Sequence, residues 1–263
     1  MDTPRWGACG AVVVLLLSGL PALGEDDLVR LTESVVKVSI GPAHGTGFVM
    51  AAPREEGGSQ LLLVTAGHSF RPKADTAKVI ARKKREDGKY DRVELRVPLV
   101  QDNKPLFVVH PEADVGVLRL VQDELRPFAL PLECLAPADD AKTGLRLGDD
   151  IWISGYPVGI EGTTDGFGLL RRGTVASFPL TPVKKFKTFV VDAATLGGDS
   201  GSPVIVRAGG DRTRPMIVGV MVGKHLQASK ITLNLEERTI QQPLDLGIVV
   251  QAEYIRQTIA LVT

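Results

Sequence analysis

The chain has 263 residues, of which 44% are hydrophobic and 24% charged, a size that suits one globular domain or two closely packed halves. Its 31 basic and 31 acidic residues cancel, and this balance gives no support for nucleic acid as the main partner. Aromatic residues make up only 5%, which leaves valine, leucine and isoleucine to form the core. Valine-rich segments separated by 28 glycines and 17 prolines predict an all-β fold.

The first 24 residues have the organisation of a cleaved signal peptide. Arg5 precedes a short apolar run over residues 10–17, and the small residues Ala22 and Gly24 precede a predicted cleavage before Glu25. The apolar run is shorter than the roughly 20 residues that a membrane span needs, so an uncleaved anchor is the less favoured alternative. We therefore expect an exported protein without a stable membrane span after cleavage, and we assign residues 25–263 to one folded domain.

Cysteine usage gives a second indication of the compartment. Cleavage would remove Cys9 and leave Cys134, and one cysteine cannot form an internal disulfide. Exported animal proteins of this size often carry several disulfides, because their compartment is oxidising. The chain therefore fits the bacterial periplasm or a bacterial secreted protein, and we interpret Cys134 as a small apolar residue of the core.

Two series of predicted strands follow the signal peptide. The first series spans about residues 33–122 and is sufficient for a six-stranded barrel; its segments are 35–40, 45–51, 60–65, 76–82, 92–97, 106–110 and 115–120. Residues 123–147 are rich in proline, aspartate and glycine and form a connection. The second series spans about residues 148–250 and predicts a second barrel; its segments are 151–155, 169–177, 188–192, 204–206, 216–222, 231–235 and 246–250. Apolar residues at helical spacing predict a terminal helix over 252–261.

A Gly-Gly-Asp-Ser-Gly segment over residues 197–201 is the first candidate for chemistry. Glycines on both sides of Ser200 permit a tight turn that exposes the hydroxyl and directs successive backbone N–H groups inward. Acyl transfer needs such donors to stabilise the oxyanion, and we assign them to Gly198 and Ser200. By itself this composition is common in surface turns, so the interpretation depends on finding partners for the serine.

A reactive serine needs an imidazole base, and His68 has the best context for that role. It follows the apolar run 61–67 and is predicted to stand where a buried strand meets an accessible loop. His44 and His110 lack this context. His225 follows a predicted strand and is a weaker candidate, as a residue that lines the substrate pocket.

The imidazole in turn needs a carboxylate that fixes its tautomer, and Asp114 is the candidate. It directly precedes the apolar segment 115–120, so a half-buried position is expected. Asp102 and Asp123 lie in polar stretches that suit solvated turns better.

The chain resembles the trypsin-like (chymotrypsin-fold) serine peptidases from about residue 33 to its end. The resemblance rests on Thr-Ala-Gly-His at 65–68, Ala-Asp-Val-Gly-Val-Leu at 113–118 and Gly-Asp-Ser-Gly-Ser-Pro at 198–203, in that order. Supporting segments are Gly-Thr-Gly-Phe-Val at 45–49, Gly-Tyr-Pro-Val-Gly at 155–159 and Leu-Gly-Ile-Val-Val at 246–250. The chain is most similar to the disulfide-free bacterial branch that includes the HtrA catalytic domains and the glutamyl endopeptidases.

The resemblance implies two orthogonal six-stranded antiparallel barrels and a short C-terminal helix. His68 and Asp114 would come from the first barrel and Ser200 from the second, and they would meet in the cleft between them. Such an enzyme hydrolyses peptide bonds in protein or peptide substrates through an acyl-enzyme, and it needs no cofactor and no metal.

Two departures from the family pattern stand out. No PDZ domain follows the protease segment, so HtrA-type peptide sensing by a fused module is not expected. Asp199 occupies the position that binds the inserted N-terminal amine in the trypsin branch, yet the predicted mature start at Glu25 lacks the usual Ile-Val terminus. Asp199 therefore needs another partner, and without one the oxyanion turn could rest in an inactive shape.

Specificity follows from the resemblance alone. It places Ala194 near the base of the substrate pocket, Thr195 on its wall, and Val222 and Gly223 on the facing strand. An alanine at the base carries no negative charge to select lysine or arginine, so a small or medium apolar P1 residue is favoured. Glutamate specificity remains the alternative.

One alternative function remains, and the basic segments of the chain also need an interpretation. A catalytically latent or inactive trypsin-like domain could act as a binding or scaffolding protein, although all three triad residues are present. The basic stretch 78–89, and the pairs 171–172 and 184–185, are interpreted as solvated surface segments and not as sites for acidic polymers.

Overall fold

Two β-sheets, one from each half of the chain, form most of the structure. The computed structural model describes residues 27–54, 57–71, 74–137, 144–207, 214–233 and 236–262. The predicted signal peptide, and Cys9 with it, lies outside these residues. Within the described part of the chain, no helix has the length and apolar character that a membrane crossing requires.

The first sheet is antiparallel along its main path, with neighbours in the order β5-β4-β1-β2-β3-β9-β8. The strands of this half are β1 Val35–Ile40, β2 Ala43–Pro53, β3 Ser59–Ala66, β4 Thr76–Lys84, β5 Tyr90–Pro98, β6 Val100–Gln101, β7 Lys104–Pro105, β8 Phe107–Val109 and β9 Val115–Arg119. β6 and β7 form a separate two-stranded ribbon, and β10, Leu130–Pro131, pairs in parallel with β2.

A hydrogen bond joins the two ends of this first sheet. Within the described residues no ladder connects β5 to β8, but the Leu106 N–H, just before β8, donates to the Leu99 carbonyl, just after β5, at 2.8 Å. The sheet therefore curves around its own apolar core, which includes Val49, Leu63 and Val79. Its curvature is consistent with the barrel predicted for this half, but the path has seven strands in place of six, and no strand ladder closes it among the described residues.

The second half closes completely into a six-stranded barrel, in the order β11-β12-β13-β16-β15-β14. Its strands are β11 Asp150–Gly155, β12 Leu169–Val175, β13 Thr188–Asp192, β14 Pro203–Val206, β15 Met216–Leu233 and β16 Glu236–Gln251. The all-β prediction with a second six-stranded barrel is confirmed.

β15 and β16 are much longer than the sequence predicted. The predicted segments 216–222 and 246–250, and the described part of segment 231–235, belong to two strands that form one hairpin; residues 234–235 lie outside the described residues. Only one end of each strand pairs within the barrel, β15 with β14 and β16 with β13. The remainder forms a two-stranded arm, whose described side chains, over 225–230 and 239–245, are nearly all exposed. This stretch therefore lacks the apolar alternation that predicts a half-buried strand.

Helices mark both ends of the described chain. α1, Asp27–Ser34, was not predicted, because its first residues read as a free acidic terminus and Leu31 is its single buried apolar side chain. α2, Ala252–Ala260, was predicted and buries Ile255 and Ile259. Although α2 follows the second barrel, Gln257 lies 3.1 Å from the His110 ring at the end of β8, so the helix also contacts the first sheet.

Arg82 corrects the prediction that the basic stretch 78–89 is solvated throughout. The stretch does form a hairpin, β4–β5, but the Arg82 side chain is only 1% exposed. Its guanidinium stands 4.7 Å from the centre of the Phe167 ring. It donates hydrogen bonds to acceptors in both halves: the carbonyls of Glu33 (2.6 Å), Val35 and Gly166 (3.0 Å), and the Tyr156 hydroxyl (2.8 Å).

Cys134 lies fully buried in the larger apolar core, in agreement with its interpretation as a small apolar residue. Burial raises the pKa of its thiol to about 11, so the reactive thiolate is strongly disfavoured.

Candidate active site

His68 and Asp114 meet because two paired strands end side by side. Ala66, the last residue of β3, pairs with Val115, the first residue of β9. A short 3-10 helix, Gly67–Phe70, carries His68 just beyond this pair, and Asp114 lies just before it. The His68 Nδ1 is 2.6 Å from one Asp114 carboxylate oxygen, and the His68 backbone N–H donates to the other at 2.7 Å.

Small residues allow this close approach. A Cβ on Gly116 would lie 2.5 Å from the Phe70 ring, so only glycine leaves room for the 3-10 helix beside β9. Phe70 in turn stacks on Phe107 with ring centres 4.4 Å apart. The backbone that carries His68 is therefore packed firmly against the sheet.

The electrostatics of the pair favour an ionised carboxylate. Burial alone would raise the pKa of Asp114, but the hydrogen bonds from His68 and its charge outweigh burial and hold that pKa below its usual value. Asp114 is thus ionised at neutral pH and accepts from Nδ1, which leaves Nε2 as the nitrogen available to a nucleophile.

The Ser200 turn is attached to the first sheet through Thr46 of β2. The Thr46 N–H donates to the Ser200 carbonyl at 2.8 Å. Gly201 has φ +92°, and a Cβ there would lie 1.8 Å from the Thr46 carbonyl oxygen. A side chain at residue 201 would therefore separate the two halves of the molecule at the site.

Thr46 is a buried residue whose several hydrogen bonds could not be predicted from the sequence. Its hydroxyl donates to the Gly198 carbonyl at 2.8 Å and accepts from the Tyr156 N–H at 3.0 Å. Its carbonyl accepts from the Thr65 hydroxyl at 2.6 Å. Thr46 thus connects the strand that leads to His68 with the turn that carries Ser200.

The two predicted oxyanion donors have unpaired N–H groups. The Gly197 carbonyl accepts a hydrogen bond from the Val158 N–H, and because the 197–198 peptide is trans, the Gly198 N–H points to the opposite side. Within the described residues, neither the Gly198 N–H nor the Ser200 N–H donates a hydrogen bond. Gly198 has φ +93°, and a Cβ there would lie 2.3 Å from the Tyr156 carbonyl, so this position also requires glycine.

Ser200, His68 and Ser69 line one cleft of about 80 Å³. His44, which lacks the sequence context of His68, lines the same cleft together with Gly45. In the described part of the chain, no hydrogen bond joins the Ser200 hydroxyl to the His68 ring. Long nucleophile–base distances are common in ligand-free active sites and shorten when substrate binds.

The four residues predicted to form the substrate pocket differ in accessibility. Ala194 is exposed, and Val222 and Gly223 are half-buried on β15. Thr195 is buried, with a hydroxyl that has no hydrogen-bond partner among the described residues. Their role in a pocket stays a prediction.

The other histidines have different surroundings. His110 is largely buried, accepts a hydrogen bond from the Glu112 N–H and lies edge-on to Tyr254, so its position is structural. His225 is exposed on β15.

The partner that Asp199 needs is Arg171, and this finding corrects the prediction that residue 171 is a solvated surface residue. The Arg171 and Asp199 side chains are 19% and 3% exposed and form a two-pronged ion pair. Arg172 does fit that prediction, since it forms an exposed pair with Asp150.

Comparison with known proteins agrees with the fold and the sequence motifs. The sequence model of one protein family, the trypsin-like peptidase domain, matches residues 45–211, which is more than half of the chain. The chain therefore belongs to the trypsin-like peptidase domain family, as the sequence predicted. The family supports peptidase activity in general, with proteins or peptides as substrates.

Two solved structures illustrate the shared fold. One is Rv3671c from M. tuberculosis H37Rv, in the inactive form of a serine-to-alanine mutant, with a TM-score of 0.52, 21% identity, and coverage of 92% of this chain and 93% of that one. The other is the Rv3671c protease in its inactive form, with a TM-score of 0.52, 19% identity, and coverage of 89% and 91%. Comparison with curated protein sequences gives no match.

Proposed function

We propose that this chain is a serine endopeptidase that cleaves peptide bonds through an acyl-enzyme. His68 Nε2 takes the proton of the Ser200 hydroxyl as it attacks the carbonyl carbon, and then delivers that proton to the leaving amine. Asp114 holds the ring orientation and stabilises the imidazolium. The Gly198 and Ser200 N–H groups stabilise the oxyanion, and each donor of this kind lowers the free energy of the transition state by about 2.7–4 kcal/mol.

One observation carries the proposal: His68, paired with an ionised Asp114, shares a cleft with Ser200, and the adjacent Gly198 and Ser200 N–H groups are unpaired. Gly198 is buried and Ser200 is half-buried, and unpaired backbone N–H groups at this position suit a developing negative charge. By comparison, a larger groove of about 370 Å³, between β4, β5 and the segment 123–128, contains none of these residues.

For specificity, we propose a small or medium apolar residue at P1. The proposal rests on the uncharged side chains predicted to form the pocket, which are Ala194, Thr195, Val222 and Gly223. We also propose that the protein is exported, to the bacterial periplasm or the medium, because of the signal-like organisation of residues 1–24.

Labelling with a fluorophosphonate probe tests the catalytic proposal. The chain from Glu25 should react, whereas Ser200→Ala and His68→Ala should not, with circular dichroism spectra unchanged. Ser229→Ala, in the hairpin arm, is the matched serine control and should react like the parent chain.

The outcome distinguishes the two interpretations of the fold. If only the parent chain and Ser229→Ala react, the result supports the peptidase. Cleavage of a peptide library then measures the P1 preference. A folded parent chain that fails to react would favour a latent or inactive domain that acts by binding.

A further inference from the structure

We propose that Arg171 is the positioning residue of this active site, and that its ion pair with Asp199 holds the oxyanion turn ready without a newly freed N-terminus. The inference rests on the proposed peptidase function and deepens it. It concerns how the donor groups are held in place, and it names a residue that the resemblance does not supply.

The contact between Arg171 and Asp199 is a fixed, nearly buried fork. Arg171 lies on β12 opposite Ile153 of β11, so a continuous ladder of the barrel supports it. Its Nη1 donates to one Asp199 carboxylate oxygen at 3.1 Å and its Nη2 donates to the other at 2.5 Å. Paired donors of this kind fix orientation as well as distance.

The same guanidinium holds both ends of the segment that leads to the nucleophile. Nη1 also donates to the Ala194 carbonyl at 2.6 Å, and Asp199 accepts the Leu196 N–H at 2.8 Å. Residues 194–199 are therefore closed around one cation. Asp199 stands between Gly198 and Ser200, so a rotation of the turn that moved either N–H would break this set of bonds.

Charge gives a second reason for the pair. Asp199 is a buried carboxylate adjacent in sequence to both proposed oxyanion donors, and an uncompensated negative charge there would oppose the oxyanion. The Arg171 guanidinium neutralises the Asp199 carboxylate, and because arginine stays charged in proteins, this compensation does not depend on pH. The turn can therefore hold an acid at residue 199 and still stabilise a developing negative charge.

The source of the cation has a regulatory consequence. The cation belongs to β12, one of the strands that form the barrel, so the shape of the turn should not depend on which residue begins the chain. Chains that start at Glu25 with a free amine and chains with an N-terminal affinity tag should react with fluorophosphonate at equal rates.

The decisive comparison uses two adjacent arginines on one strand. In Arg171→Met an unbranched apolar side chain remains and the guanidinium is lost, and we expect the labelling rate and kcat to fall at least about 100-fold, the loss seen for an oxyanion donor, with a smaller change in KM. Arg172→Met removes the exposed pair with Asp150 and should change the rate by less than about twofold. Arg171→Lys retains a charge without the fork, and its rate should lie between the two.

A double variant separates positioning from stability. Arg171→Met alone leaves a buried unpaired carboxylate and could fail to fold, whereas Arg171→Met with Asp199→Asn leaves no unpaired charge. We expect the double variant to fold, with a thermal midpoint near that of the parent, and still to react about 100-fold more slowly.

Three results would overturn the inference. These are a double variant that reacts at the parent rate, an Arg171→Met chain that reacts as fast as Arg172→Met, or a tagged chain that reacts far more slowly than the untagged one. Failure of the parent chain itself to react would instead count against the peptidase proposal, so the two failures are distinguishable.

Discussion

At the residue scale, the proposed mechanism depends most directly on the hydrogen-bonding character of Asp114. It accepts two bonds from His68, one from the backbone N–H and one at Nδ1. Asp114→Asn keeps the shape but presents an N–H group to one of these donors, which favours the wrong imidazole tautomer. We expect kcat to fall about 10⁴-fold with little change in KM. Both constants are measured with a peptide that the parent chain cleaves. Asp123→Asn, at an exposed carboxylate, should retain the parent kcat, and an equal loss in both variants would contradict the assignment.

Val158 provides a second prediction at this scale, because its backbone is strained. It has φ 44° and ψ 27°, a left-handed conformation that is unfavourable for a β-branched residue, and its side chain is 57% exposed. Its N–H nevertheless orients the 197–198 peptide. Val158→Gly keeps that N–H and relieves the strain, so thermal unfolding should show a gain of about 1 kcal/mol. Val100→Gly, on the ordinary strand β6, should lower stability, and a loss in Val158→Gly as well would argue against stored strain.

At the element scale, the buried Arg82 joins α1, β1, β4 and the segment that follows β11. Arg82→Met would leave its carbonyl and hydroxyl acceptors buried and unpaired, and each such group costs about 1–3 kcal/mol. We expect a loss of about 3 kcal/mol or more in urea unfolding. Lys83→Met, at the exposed neighbour on β4, should change stability by less than about 0.5 kcal/mol. Equal stability of the two variants would mean that Arg82 adds nothing to the docking of these elements.

The sequence predicted the elements whose signal is local. Strand periodicity found most strands. Residues 68 and 114 were selected because each stands at the end of an apolar run, and residue 200 because glycines flank its turn; their catalytic roles stay predictions. The different surroundings of Arg171 and Arg172 could not be predicted from local signals. Alternation along a strand places them on opposite faces, but only the register with β11 determines which one meets Asp199. The burial of Arg82 and the long-range hydrogen bonds of Thr46 depend in the same way on partners more than 70 residues distant.

At the scale of the whole molecule, Glu161 links the two halves and makes that link sensitive to pH. Its carboxylate pairs with Arg92 of β5 and Lys37 of β1. Hydrogen bonding from Arg92 outweighs burial and lowers the pKa of Glu161. A lowered folded-state pKa means that the link is fully stabilising above the unfolded pKa of about 4.3 and is lost as the pH falls through the folded value.

Glu161→Gln should therefore be less stable than the parent at pH 7, by less than about 1 kcal/mol because Arg92 is partly exposed. The difference should begin to shrink as the pH falls through the unfolded pKa of about 4.3, and it should vanish only below the lower folded-state pKa. Thermal midpoints recorded from pH 3 to 8 measure this convergence, with Glu86→Gln, in the exposed β4–β5 turn, as the control. Curves that stay parallel across the range would contradict the role of Glu161.

The bond between Thr46 and Ser200 also determines when the proposed catalytic centre can exist during synthesis. It joins residues separated by more than half of the chain, and the barrel that holds Ser200 closes only when β16 pairs with β13. Contacts of such long sequence separation form late in folding, because the intervening chain must first be ordered. A ribosome-bound chain that has emerged only as far as Ser200 therefore carries the proposed nucleophile without an organised turn, and the proposed activity should begin only after β16 has emerged and paired with β13.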